Sequence, residues 1–330
     1  MKILIVANGT IPVRLYGGTQ RVVWGLGKEL AKAGHRVSYL VAPGSTCDFA
    51  EIIPFDATLP IHKQIPHDID IIHFNVPTLG LEKLETPYVI TMHGNVNSLH
   101  EFDLNTIFIS ENHAARYGSD CYVYNGLDWD EYTKPSLTAT RNYFHFLGKA
   151  SWRIKNVQGA INIIKSTKKE KIKILGGVRF NLNMGLRFTF TPRAQFYGMV
   201  GGREKDKLLQ HSKGLLTPVR WHEPFGLSII ESLFYGCPVF GTPYGALPEI
   251  VTEDVGFLSK NCSEIAEELQ DVDKYSNSYC HDYARENFNS AKMADSYVAK
   301  YEQVLAGEKL NDQSPKLLKI QETKYLEWNS

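Results

Sequence analysis

The sequence predicts an α/β chain made of two doubly wound, parallel-sheet domains, and three observations lead there. Short apolar runs alternate with amphipathic helical stretches from Lys2 to Tyr124, the alternation restarts at Tyr143 after a polar break, and 330 residues suits two domains of ordinary size. A hydrophobic fraction of 43% can fill two cores. Lys plus Arg and Asp plus Glu balance at 36 each, so no global field points to nucleic acid. The five cysteines (Cys47, Cys121, Cys237, Cys262, Cys280) are scattered without a Cys-x-x-Cys pair. That spacing fits neither a zinc site nor a disulfide framework and suits a reducing compartment. No run reaches the roughly 18–20 apolar residues of a membrane span. Lys2–Ala7 is too short for a secretory signal core, so a cytoplasmic protein is expected.

In the first half, Lys2–Ala7 reads as a buried parallel strand. A glycine- and proline-containing loop from Asn8 to Gly18 leads into a helix over Thr19–Ala33, with Val22, Val23, Leu26, Leu30 and Ala31 on one face and Gly34 as its stop. His35–Val41, Asp70–Phe74, Tyr88–Met92, Thr106–Ser110 and Cys121–Tyr124 supply further strands. Ligands bind beyond the carboxyl ends of strands in such sheets. Three groups sit there: Gly17-Gly18-Thr19, His93-Gly94-Asn95 and Asn125-Gly126-Leu127-Asp128. Gly17 and Gly18 can admit a phosphate or sugar at a helix start, or form an ordinary turn with Thr19 as N-cap. There is no Gly-x-Gly-x-x-Gly, so a nicotinamide fingerprint is absent. A lone histidine is more often structural than catalytic, and Asn-Gly favours a plain turn.

A linker is expected over Trp129–Asn142, around Pro135 and the Ser136, Thr138 and Thr140 cluster. Beyond it, Tyr143–Leu147 is a strand and Asn156–Ser166 a helix with Val157, Ala160, Ile161 and Ile164 in phase. Lys171–Leu175, Arg187–Phe190, Phe196–Met199, Gly214–Thr217 and Pro238–Gly241 are further strands, with a loop over Thr242–Leu247. The basic run Lys165–Lys173 reads as a solvated loop rather than a membrane patch. Helices close the chain at Ser263–Leu269, Tyr279–Asn287 and Ala291–Leu305, followed by a polar tail in which Leu317, Leu318, Ile320, Tyr325, Leu326 and Trp328 offer docking points.

The chemistry concentrates in Arg220-Trp221-His222-Glu223-Pro224-Phe225-Gly226-Leu227-Ser228-Ile229-Ile230-Glu231. Pro224 suits a first helical turn, which places the helix start near Pro224–Phe225 and Glu231 about two turns in. The amides of Phe225, Gly226 and Leu227 would then form an anion site, and Gly226 would let a ligand approach the backbone. Two glutamates at this spacing are common by chance and, taken alone, more often mean that Glu231 is a solvated helix residue.

The neighbouring residues add a resemblance. Glu-Pro-Phe-Gly-Leu, Glu231-Ser232-Leu233, Gly236-Cys237-Pro238-Val239 and Gly245-Ala246-Leu247-Pro248-Glu249-Ile250-Val251 occur in order. Together they resemble the donor-binding signature of the retaining glycosyltransferases of family 4, which have the GT-B fold. Tyr16-Gly17-Gly18-Thr19-Gln20-Arg21 is similar to the family's first loop, and His93 to its strand-end histidine facing donor sugar and acceptor. His73 is similar to a second strand-end histidine, read here as structural. Gly148-Lys149 through Lys155 stands where the family has Gly-Arg and a lysine six positions after the arginine, the two cations that hold the donor diphosphate. Lys149 replaces the arginine and lacks its bidentate fork, and Arg153 is a candidate to compensate.

The resemblance implies two Rossmann-like domains facing a cleft: an acceptor domain at 1–133, a nucleotide-sugar domain at 142–290, a helix at 291–306 crossing back, and a polar tail at 307–330. It implies Glu223, Lys149, Lys155 and His93 in catalysis, with Gly17, Gly18, Arg153, Phe225, Gly226, Leu227, Glu231 and Glu249 around the donor. No cofactor and no essential metal are expected. The expected reaction is retaining transfer from a nucleotide-sugar, UDP-linked first and GDP-linked next, to a glycan or lipid-linked acceptor in bacterial surface polysaccharide or lipopolysaccharide synthesis. Peripheral contact with the inner face of the membrane is compatible with this, and no nucleic-acid partner is expected. The alternatives are a GT-B sugar-nucleotide epimerase and a non-catalytic nucleotide-sugar-binding subunit.

Overall fold

The computed structural model describes residues 1–13, 17–181 and 187–330. They form two compact units: Met1–Val13, Gly17–Trp129 and Phe288–Gln321 in the first, Asp130–Asn287 and Glu322–Ser330 in the second. The chain thus changes unit between Trp129 and Asp130, and residues 130–142 of the expected linker belong to the second unit.

The first unit is a six-stranded parallel sheet of β1 (Lys2–Val6), β2 (Arg36–Val41), β3 (Glu51–Pro54), β4 (Ile71–Phe74), β5 (Tyr88–Met92) and β6 (Thr106–Phe108), in the order β3-β2-β1-β4-β5-β6. Leu4, Val6, Leu40, Ile72 and Phe74 meet in its core, as expected of strands buried on both faces. Helix α1 (Gly18–Lys32) buries Val22, Val23, Leu26 and Leu30. Gly17 is its N-cap and Thr19 lies inside the helix, which corrects the capping alternative. Tyr16 lies outside the described residues. Strand β3 went unread in the sequence, and the strand expected at Cys121–Tyr124 is a single bridge between Phe108 and Tyr122. Six-residue α2 (Glu111–Arg116) starts at Ser110, whose hydroxyl accepts from the His113 amide.

The second unit repeats the topology with β7 (Tyr143–Leu147), β8 (Ile172–Leu175), β11 (Ala194–Phe196), β12 (Ser212–Thr217), β13 (Val239–Gly241) and β14 (Gly256–Leu258), ordered β11-β8-β7-β12-β13-β14. Between β8 and β11 lies an antiparallel pair, β9 (Phe180–Asn181) and β10 (Arg187–Phe188). The expected strand at Arg187–Phe190 therefore belongs to a hairpin and not to the parallel sheet. Helices α3 (Val157–Ser166), α4 (Gly202–Gln210), α5 (Leu227–Phe234), α6 (Leu247–Ile250), α7 (Cys262–Glu268) and α8 (Asn277–Asn287) complete the unit. Of these, α4 and α6 were not foreseen. Phe144, Phe146, Ile161, Ile174, Leu216 and Ile265 share its core.

The last helix, α9 (Ser290–Leu305), belongs to the first unit and buries Met293, Tyr297 and Tyr301. Leu305, expected on the same face, is exposed, and Val304 takes its place. The chain beyond it is docked. Leu317 is buried beside Phe108, Ala114 and Tyr117 in the first unit. Trp328 packs on the core of the second unit, where the Asn329 amide donates to Lys260 O at 2.9 Å.

Candidate functional site

Strand order reverses between β7 and β12, and loops leaving the carboxyl ends of those two strands are the natural ligand crevice of such a sheet. The loop after β7 carries Lys149, Arg153 and Lys155; the loop after β12 carries Glu223. The two are tied together. Arg220 N donates to Ile154 O at 2.7 Å, and Asn156 Nδ2 donates to Pro218 O at 2.9 Å. Asn156 also caps α3 by accepting from Gly159 N, in a left-handed conformation (φ 54°) that asparagine tolerates.

These ties bring Lys155 and Glu223 into contact. Lys155 Nζ lies 2.5 Å from Glu223 Oε2, and Trp221 Nε1 donates to the same oxygen at 2.8 Å. The ammonium also sits 5.1 Å from the centre of the Trp221 ring. Both donors converge on Oε2, so among the described residues Oε1 is left to other donors. Glu223 is 8% exposed, so its carboxylate is held by charge-assisted bonds rather than by water. Its backbone is fixed too: Ala246 N donates to Glu223 O at 2.9 Å. Gly245 (φ 65°) makes that approach possible, because a Cβ there would lie 2.2 Å from Glu223 O.

The other candidates are placed differently. Lys149 is half-buried, with Nζ 5.3 Å from the Trp152 ring centre. Arg153 is exposed in the turn before Lys155. Glu249 is half-buried in α6, just after the Gly245–Ala246 segment that braces Glu223. Helix α5 begins at Leu227 with Gly226 (φ 98°) as N-cap, two residues later than expected. Pro224 and Phe225 therefore belong to the approaching loop. Leu227 alone of the three expected amides lies in the first helical turn, and Phe225 buries its ring. Glu231 is the fifth residue of α5, a little over one turn in.

Glu231 has its own cluster, made by residues the sequence did not flag. Lys205 Nζ lies 2.5 Å from Glu231 Oε1, and Tyr132 OH donates to it at 2.7 Å. The Lys205 ammonium is 5.0 Å from the Tyr132 ring centre. Lys205 comes from α4 and is 6% exposed. A signal existed: Lys205 stands three and four positions before Leu208 and Leu209 and shares their inward face.

In the first unit, His93 Nε2 bonds Asn75 Oδ1 at 2.8 Å, and burial lowers its pKa to about 4. His73 lies between Tyr301 OH and Thr91 Oγ1, both at 2.7 Å. Its pKa is lowered to about 3, by burial first and by His93 second, which suits the structural reading. Asn125–Asp128 is structural as well. Leu127 N donates to Phe288 O at 3.0 Å, and Asp128 pairs with Lys28 at 2.5 Å. Gly17 and Gly18 stand at the start of α1.

Two sheets of this order, each with helices on its parallel strands, make the GT-B architecture. Residues 129–289, nearly the whole second unit, match the family model "Glycosyl transferases group 1". Over 93% of this chain and 99% of its own, the structure of AviGT4, a glycosyltransferase involved in avilamycin A biosynthesis, superposes with TM-score 0.75 at 20% identity. Anabaena Alr3699/HepE in complex with UDP-glucose superposes with TM-score 0.66 at 16% identity, covering 92% of this chain and 100% of its own. A Klebsiella pneumoniae protein, "Uncharacterized 41.2 kDa protein in cps region", is 27% identical over 113 residues. That stretch is 32% of this chain and 31% of the relative's own length. Family match and fold together support a glycosyltransferase.

Proposed function

We propose that this chain is a retaining, metal-independent glycosyltransferase. It would move a sugar from a nucleotide-sugar, UDP-linked in preference to GDP-linked, to a hydroxyl of a glycan or lipid-linked acceptor in bacterial surface polysaccharide or lipopolysaccharide synthesis. The observation that carries this reading is Glu223, oriented by Lys155 and Trp221 where the strand order of the second unit reverses. UDP-glucose bound to Alr3699/HepE supports the choice of donor class.

The chemistry assigns each role. The bond from the anomeric carbon to the diphosphate oxygen breaks, and the diphosphate leaves with the electron pair. The acceptor oxygen bonds the same carbon, and its proton passes to a diphosphate oxygen. An ammonium has three donors; Lys155 spends one on Glu223 and can turn the others to the leaving phosphate, with Lys149 beside it. Glu223 takes hydrogen bonds from sugar hydroxyls and favours positive charge building at the anomeric carbon. Glu231, held by Lys205 and Tyr132, accepts from the ribose. The test is turnover of UDP-sugars with EDTA present and a panel of soluble acceptors, with the anomeric proton of the product read by NMR. Acceptor-dependent nucleotide release with the donor's configuration kept is expected. Donor conversion without acceptor would mark an epimerase, and binding without turnover a non-catalytic subunit; either would overturn the proposal.

A further inference from the structure

Residues 322–330 belong to the second unit, and they run across the carboxyl ends of three neighbouring strands of its sheet, β12, β13 and β14. At the loop after β12, Leu326 N donates to Arg220 O at 2.9 Å and Arg220 Nε donates back to Leu326 O at 2.8 Å. The Arg220 guanidinium also lies 5.2 Å from the Tyr325 ring centre. At the loop after β13, Tyr244 OH donates to Glu327 O at 2.9 Å. At the loop after β14, Lys260 Nζ pairs with Glu327 at 3.3 Å, Asn329 N donates to Lys260 O at 2.9 Å, and Cys262 N donates to Asn329 O at 2.8 Å. Between Glu327 and Asn329, Trp328 packs on the core.

Two of these ties flank Glu223. Arg220 stands three residues before it, and Arg220 N donates in turn to Ile154 O, next to Lys155. Tyr244 immediately precedes Gly245 and Ala246, the two residues that brace the Glu223 backbone. The Tyr244 ring also meets the His222 ring edge-on, with centres 6.3 Å apart. Two consecutive residues, Leu326 and Glu327, thus hold both segments that fix Glu223, and they do so through their backbone. Cross-bonds from a separately anchored segment remove loop freedom before a ligand arrives, which is preorganisation. Glu231 stands on helix α5, which none of these bonds reaches.

We propose that Tyr325–Glu327 is a strap that positions Glu223 for sugar transfer, with Arg220 and Tyr244 as the positioning residues through which it acts. This rests on the sugar-transfer reading for the work that Glu223 does, and on the bonds above for the strap itself. The strap grips the loops after β12 and β13 and leaves α5 alone, so it governs turnover more than nucleotide affinity. Glu223 is assigned to the reacting sugar, Glu231 to the ribose. Misplacing a reacting group by about 1 Å costs up to about 100-fold in rate. A segment that only sealed the sheet would change stability and leave the balance of turnover and affinity as it was.

The test compares the full chain with two variants. Leu326→Pro removes the N–H given to Arg220 O, and Tyr244→Phe removes only the hydroxyl given to Glu327 O. Hydrogen exchange without ligand should be faster over 218–224 and 243–247 in both, with α5 at the wild-type rate. With UDP-glucose and the soluble acceptor panel, turnover at saturating donor should fall about 10–100-fold in Leu326→Pro and about 2–10-fold in Tyr244→Phe. The dissociation constant of UDP should stay within about twofold. Wild-type exchange in both variants, or freed loops with undiminished turnover, would overturn the proposal. So would a loss of turnover matched by an equal loss of UDP affinity, the mark of a general structural role. Exchange needs no ligand, so a wild type that releases no UDP from UDP-glucose counts against the transfer reading, while the exchange rates still decide whether the strap holds the loops. Should Leu326→Pro fail to fold, Tyr244→Phe, which loses a single oxygen atom, carries both measurements.

Discussion

The two units have the same strand order, yet their strand ends hold opposite chemistry. In the first, the histidines at the ends of β4 and β5 are neutral: His73 between two hydroxyls and His93 on an amide, both kept uncharged by burial. In the second, the loops beyond β7 and β12 and helices α4 and α5 hold two lysine–glutamate pairs, each with an aromatic donor on the same oxygen. Topology fixes where a ligand can sit, and side-chain charge decides what it can be.

Removing a charge from the second unit should separate the two most. Lys205→Ala leaves the buried Glu231 carboxylate without its cation, and breaking such a pair costs about 3–5 kcal/mol. Urea denaturation should show that loss, and Lys205→Met with Glu231→Leu should recover much of it. A single variant as stable as the wild type would mean the pair has no structural weight. Next is Lys155→Ala, which should cut turnover at saturating donor by about 10–150-fold, the worth of a charged hydrogen bond, with a smaller effect on nucleotide affinity. Unchanged turnover would remove Lys155 from the leaving-group role. Gly245→Ala forces a Cβ against the Glu223 backbone and should destabilise by about 1–3 kcal/mol, with turnover falling as Glu223 shifts; full activity would show that the contact is not needed.

Acid should give the smallest separation near neutrality. Burial lowers the pKa of His73, His93 and His113 in the first unit to about 3, about 4 and about 3, and that of His145 in the second to about 3. The unfolded chain, with histidine near 6.5, binds more protons between those limits. Stability therefore is whole above about pH 6.5 and falls as pH drops toward 3–4. Hydrogen exchange at pH 5 against pH 7 should show amides of the first unit losing more protection than those of the second. Equal losses would mean the histidine count does not govern acid sensitivity.

Both sheets were legible because their parallel strands read as short, mainly apolar runs; Tyr88–Met92 and Tyr143–Leu147 were bounded to the residue. Short or half-exposed strands such as β3 carry no such run. The start of α5 was misplaced because Pro224 mimics a first-turn proline, whereas Gly226 in the left-handed region ends the loop. Lys155 and Glu223 were legible as a motif, but their direct pairing was not, since it depends on two loops 68 residues apart being tied by backbone bonds. Lys205 was missed because its spacing to Leu208 and Leu209, the one signal of its inward face, is outweighed by the charged residues around it.

The most direct measurement is a thermal-shift panel of UDP, GDP, dTDP and ADP and their sugars, with EDTA, on wild-type protein and Lys155→Ala. A ligand at about 100 times its dissociation constant adds about 2.7 kcal/mol, enough to read. Stabilisation by one nucleotide family, UDP first, and a smaller shift in the variant are expected. No stabilisation by any nucleotide would contradict the assignment of the second unit's lysine–glutamate site to a nucleotide-sugar.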